Sequence, residues 1–203
     1  MTRRRLQFSF VCVLIASAAL FALPVVSASA AGTKVLLVTR GEEGEGPPAV
    51  QGERAHVTNY VRWPALGTIC GGADEMATVG KNPSPTVKVT GSDAPSASTC
   101  FLESDFEIEP GNITIKSISI TKAGVVKLTG KLELTAGGEC TYRATKLTGE
   151  QGFAPEEEWS GTLTGTGKRV APSAKTCAKT TPVEDGIGVA NAEGYNYIVA
   201  LTS

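Results

Sequence analysis

Residues 112–135 read NITIKSISITKAGVVKLTGKLELT. In the second half of this stretch Val126, Leu128, Leu132 and Leu134 occupy alternate positions, with Gly130 between them, while Lys127, Thr129, Lys131, Glu133 and Thr135 occupy the others. Successive side chains of a strand point to opposite faces, so this alternation describes a strand with one buried and one solvated face. The first half holds two apolar pairs that are out of phase, Ile113 with Ile115 and Ile118 with Ile120. A bulge near Lys116-Ser117 inserts one extra residue and returns both pairs to the same side. Lys122-Ala123-Gly124 then supplies the turn of a hairpin.

Working outward, further strands are expected at 34–39, 56–61, 66–70, 86–90, 102–109, 140–147, 159–163 and 195–202. The acidic, Gly- and Pro-rich run 41–48 (GEEGEGPP) reads as a flexible loop. No stretch of ten or more residues after residue 30 has helical periodicity. Pro155-Glu156-Glu157-Glu158 suits a first helical turn and no more. Many short strands with polar turns predict an all-β fold, an antiparallel sandwich or open barrel.

Composition agrees. The chain has 203 residues, of which 41% are hydrophobic and 19% charged, and its 23 glycines suit tight turns. The formal net charge of −1 gives no electrostatic footprint for nucleic acid or an anionic membrane.

Residues 1–30 read as a signal peptide. Arg3, Arg4 and Arg5 form a basic start, residues 8–26 are almost wholly apolar, and Ala28-Ser29-Ala30 supplies a small-residue cleavage site. Pro24 argues against an uncleaved anchor helix. Thr2-Arg3-Arg4-Arg5-Leu6 also resembles a twin-arginine signal, although the strongly apolar core suits the general secretory route. The expected mature product is one β domain, 31–203, with no membrane attachment, secreted or resting in the cell envelope. Losing the three arginines leaves 16 basic residues against 20 acidic ones.

Cys12 lies in the signal, so Cys70, Cys100, Cys140 and Cys177 remain. An even count in an exported chain implies two disulfides, with three pairings open. The string Ala94-Pro95-Ser96-Ala97-Ser98-Thr99-Cys100 is echoed by Ala171-Pro172-Ser173-Ala174-Lys175-Thr176-Cys177. This echo suggests two similar halves, 55–110 and 124–203, and the pairs Cys70–Cys100 and Cys140–Cys177. Closing such loops would constrain the unfolded chain by about 3.5–4 kcal/mol each. Zinc is disfavoured because no C-x-x-C pair exists.

With Gly67-Thr68-Ile69-Cys70, the Thr/Lys/Gly-rich middle strands and Cys140-Thr141-Tyr142-Arg143-Ala144-Thr145-Lys146-Leu147-Thr148-Gly149 in place, residues 60–180 resemble a group of exported β-rich proteins from high-GC Gram-positive soil bacteria. The resemblance implies export and β structure. It implies no mechanism, and the acidic insert 150–158 departs from the pattern.

The sharpest chemical constellation is Glu103, Asp105, Glu107 and Glu109, which alternate with Leu102, Ser104, Phe106 and Ile108. On one strand the four carboxylates share a face, with neighbours about 6.5–7 Å apart. That spacing suits a carboxylate pair for glycoside hydrolysis or an oxygen-rich calcium site. It equally suits a solvated face opposite Lys127 and Lys131. Glu42, Glu43 and Glu45, like Glu156–Glu158, form no calcium-loop motif. His56 is the sole histidine and no G-x-S-x-G elbow exists, so a serine triad has little to build on. Residues 161–168 (GTLTGTGK) have the wrong spacing for a phosphate loop. Among Trp63, Trp159, Tyr142, Tyr195 and Tyr197, Trp159 is the best candidate for stacking on a sugar; the others suit a core. The favoured reading is a non-catalytic structural or adhesive module with no cofactor. A carbohydrate- or calcium-binding module comes second and a glycoside hydrolase third, with cell-wall or extracellular polysaccharide as the expected partner.

Overall fold

The computed structural model describes residues 33–41, 44–91, 96–103, 108–153 and 160–202. Residues 1–30, including the expected signal and Cys12, lie outside them. The fold is all-β, and the helical content of the described residues is a single 3-10 turn, Pro64–Leu66. The quoted stretch forms a hairpin of two strands of the larger sheet. All eight of its alternating apolar side chains, from Ile113 to Leu134, are buried. The register slips between Ile115 and Ser117, where the out-of-phase isoleucines require a bulge. Gly130 sits beside the bulge, and a Cβ there would collide with the Thr114 carbonyl.

The strands are β1 (Lys34–Gly41), β2 (Gly44–Pro48), β3 (Arg54–Trp63), β4 (Thr68–Val79), β5 (Thr86–Gly91), β6 (Ser96–Leu102), β7 (Ile108–Thr121), β8 (Val125–Ala136), β9 (Cys140–Glu150), β10 (Ser160–Arg169), β11 (Thr180–Asn191) and β12 (Tyr197–Thr202). From β7 to β11 each strand pairs antiparallel with the next. β11 then pairs with β3 and β3 with β4, so the ladder closes on itself. Between β4 and β7 one strand position is filled in two pieces: β5 pairs near one end and β6 near the other. The result is a barrel of eight strand positions whose ladder closes on itself, with a gap in the pairing of β4 where β5 and β6 meet.

The strands alternate in direction, so their termini gather at two ends. One end holds the start of β3, the end of β4 and the end of β11. A three-stranded sheet ordered β12-β1-β2 docks there. Its Val35, Leu37, Tyr197 and Val199 belong to the same core as the barrel. Asn82, in the turn before β5, mimics a strand. Its Oδ1 accepts from the Leu37 N–H at 2.8 Å, and its Nδ2 donates to the carbonyls of Leu37 at 2.8 Å and Ala49 at 2.9 Å. The Tyr197 hydroxyl donates to Glu53 at 3.0 Å, joining β12 to the entry of β3.

Disulfides Cys70–Cys100 and Cys140–Cys177 lock the opposite end. Both expected pairs are present, yet the echo does not explain them. Ser96–Cys100 is strand, and Cys100 lies directly opposite Cys70 in the β4–β6 register. The second copy, 171–177, is a loop between β10 and β11. The two copies therefore differ in structure, and residues 55–110 and 124–203 contribute to one ring rather than to two equivalent halves.

Other expectations change as well. Part of the run read as a loop is strand β2, paired with β1. Segment 102–109 is not one strand, because β6 ends at Leu102 and β7 begins at Ile108. β11 was not anticipated, since Pro182 and Asp185 interrupt its apolar pattern. Tyr195 precedes β12 and is exposed, as is Leu201, while Tyr197 and Val199 are core.

Candidate functional site

The structure separates the expected carboxylate face. Glu103 is exposed at the end of β6, and its carboxylate meets the Arg62 guanidinium, with Nε to Oε1 at 2.9 Å and Nη2 to Oε2 at 3.4 Å. Glu109 is buried in β7, where both of its oxygens accept from the Gly137 N–H, at 2.8 and 3.1 Å. The two carboxylates share neither face nor role, and Asp105 and Glu107 lie outside the described residues. Lys131 pairs instead with Glu133 at 3.4 Å, which also holds Arg143 at 2.7 Å. Among the described residues no group of three His, Cys, Asp or Glu could hold a metal ion. Trp159, Glu42, Glu43 and Glu156–Glu158 lie outside the described residues, while Glu45 is exposed on β2. Trp63 and Tyr142 are core partners with ring centroids 6.4 Å apart. His56 is half-buried on β3, and residues 161–168 belong to strand β10.

Two arrangements that sequence reasoning missed meet at the middle of β3. On the outer face a groove of about 330 Å³ is lined by Tyr60, Ile69, Gly71, Phe101, Leu102 and Glu103. Register builds it. Tyr60 on β3 stands opposite Gly71 on β4, and Ile69 on β4 stands between Arg62 on β3 and Phe101 on β6. Gly71 offers no side chain, so the Tyr60 ring lies across it, 3.4 Å from the place a Cβ would take. Tyr60 is 52% and Phe101 38% exposed. Two exposed aromatics over an apolar floor, with the Arg62–Glu103 pair at the rim, combine ring faces for stacking with donors and acceptors for hydroxyl groups.

Behind this groove, Asn59 on β3, Glu75 on β4 and Asp185 on β11 point into the barrel, 5%, 3% and 0% exposed. Each carboxylate mends a break in the ladder. β5 pairs with β7 up to Ser117 and β6 from Ile113, so Ile115 faces the junction, and its N–H donates to Glu75 Oε2 at 2.9 Å. The β3–β4 register slips between Asn59 and Tyr60, and the Tyr60 N–H donates to Asp185 Oδ1 at 3.2 Å. Glu75 Oε1, Asp185 Oδ2 and both polar side-chain atoms of Asn59 have no partner. Burial pushes the Asp185 carboxyl up to about 7; the Tyr60 N–H opposes this and the nearby Glu75 charge adds to it. Burial also raises Glu75, opposed by the Ile115 N–H.

A signal for these residues exists in the sequence. Asn59 interrupts Val57, Val61 and Trp63; Glu75 precedes Ala77 and Val79 in phase; and Asp185 interrupts Val183, Ile187 and Val189. A polar residue in the apolar phase of a strand marks a buried polar group.

Two disulfides fit an oxidising, extracytoplasmic compartment. Among the described residues no helix is long and apolar enough to cross a membrane. No protein-family model matches the chain, and no curated protein or solved structure shows significant similarity to it.

Proposed function

We propose that the chain is an exported, non-catalytic adhesive module that docks a cell-wall or extracellular polysaccharide on the outer face of β3, β4 and β6. The observation that carries this reading is the exposed pair Tyr60 and Phe101 over Gly71 and Ile69, flanked by the Arg62–Glu103 ion pair. An aromatic face stacks on the C–H face of a pyranose, and the charged pair can exchange its mutual hydrogen bonds for sugar hydroxyls. The basic start, apolar core and Ala-Ser-Ala site of residues 1–30 support export, as does the presence of two disulfides.

The test is a binding screen of the mature chain, residues 31–203, against insoluble cell-wall and plant polysaccharides, followed by titration of soluble oligosaccharides. Tyr60→Ala and Phe101→Ala should each weaken binding by about tenfold, the loss of roughly 1.4 kcal/mol of stacking. Glu103→Gln should weaken it less. Binding that survives both aromatic substitutions, or that disappears only with Trp159→Ala, would move the site elsewhere. Absence of binding to any polysaccharide would remove the reading.

A further inference from the structure

We infer that Asn59, Glu75 and Asp185 enclose a site for one hard divalent cation, calcium in type, inside the barrel. The cluster lies apart from the outer groove, and the inference does not depend on what that groove binds.

Register sets the three side chains on three adjacent strands of the barrel wall. Asn59 pairs with Ile187 on one side and Ala73 on the other. Asp185 stands two residues from Ile187, and Glu75 two residues from Ala73, each on the face that points inward. Asp185 stands opposite Val61 and Glu75 opposite Val57, so Asn59 has a carboxylate on each neighbouring strand, one toward either end of the barrel, and Asp185 feels the Glu75 charge. Diagonal neighbours of this kind lie about 7–8 Å apart between backbones, within reach of longer side chains.

Three oxygens, Asn59 Oδ1, Glu75 Oε1 and Asp185 Oδ2, are buried without a partner on these three strands. Buried polar atoms in folded proteins are almost always satisfied, so three unpaired acceptor oxygens on adjacent strands point to a missing occupant. Charge decides which occupant. Each carboxylate receives one backbone N–H, and among the described residues neither has an ion pair. A water molecule would satisfy some of the atoms and leave buried the charge that Asp185 carries above about pH 7. A cation satisfies the oxygens and neutralises the charge together. Carboxylate and amide oxygens, with no sulfur or imidazole, select calcium or magnesium over zinc or copper. Calcium is favoured because it accepts irregular geometry, and the second oxygen of each carboxylate can join its coordination.

The experiment is thermal unfolding of the mature chain at pH 8 in chelator, then with calcium chloride, magnesium chloride or sodium chloride, alongside calorimetric titration with calcium. Calcium at about one hundred times its dissociation constant should raise Tm by roughly 5 °C or more, with one ion bound per chain. Glu75→Gln and Asp185→Asn keep the side-chain volume and the oxygen that accepts the backbone N–H, and each should abolish the shift. The surface variant Glu103→Gln should retain it. Should either core variant fail to fold by circular dichroism, Asn59→Ala keeps both carboxylates and should weaken calcium binding at least tenfold. Wild-type protein that shows neither a Tm shift nor binding heat with calcium or magnesium overturns the inference. So does a shift that persists in Asp185→Asn, or unchanged affinity in Asn59→Ala.

Discussion

Asp185→Asn, examined in chelator, isolates the cost of burying a charge in this barrel. The native carboxyl is pushed from its ordinary 3.8 up to about 7, and the side chain is fully buried. Between these two values the folded chain holds a proton that the unfolded chain has released. The folded state thus binds more protons, and stability falls as pH rises from about 4 to about 7, then levels off. The gap of about three pH units corresponds to roughly 4 kcal/mol between the two plateaus. Asn keeps an oxygen for the Tyr60 N–H and carries no charge, so the variant should match the wild type near pH 4. Above pH 7 it should exceed the wild type by up to about 4 kcal/mol, or roughly 10 °C in Tm for a domain of this size. The assay is urea unfolding at four pH values from 4 to 8, with circular dichroism as the probe. Glu75 rises in the same direction and leaves a residual slope in both proteins. If the stability curves of variant and wild type run parallel across this range, or if Asn destabilises the barrel at pH 8, the account of a desolvated, unpaired carboxylate fails.

Two further substitutions test how the ends of the barrel are held. A Cβ at Gly111 would collide with Cys100 Sγ, so Gly111→Ala should cost about 2 kcal/mol or more, or lower the yield of the Cys70–Cys100 bridge. Thiol titration with a melt will show which. Asn82→Ala removes three hydrogen bonds between the β4–β5 turn and the small sheet, and should cost about 2–3 kcal/mol. Hydrogen exchange should then accelerate in β1 and β12 before it does in β7 and β8.

Local pattern explains what was legible beforehand. The alternation of Val126, Leu128, Leu132 and Leu134 requires a strand wherever that strand lies, and the phase break from Ile115 to Ile118 requires a bulge. Four cysteines in a chain with an export-type start call for oxidation. The echo points to the correct pairs although its two copies adopt different structures; the cause of the Cys70–Cys100 bridge is the register of β4 with β6. Glu103 and Glu109 occupy equivalent places in the uninterrupted alternation of 102–109. The chain changes strands there, which sends one carboxylate to solvent and the other into the barrel.

The sequence by itself determined the strands with clean alternation, the bulge between the isoleucine pairs and the supply of bridging sulfur, because each depends on residues close together along the chain. Tertiary structure alone decided that the ladder closes through β3 and β4, that Tyr60 meets Phe101 across Gly71 and Ile69, and that Asn59, Glu75 and Asp185 are buried on adjacent strands. These contacts join residues up to about 130 positions apart. Their partners are chosen by which strands lie side by side and in what register, and no periodicity within one strand carries that information.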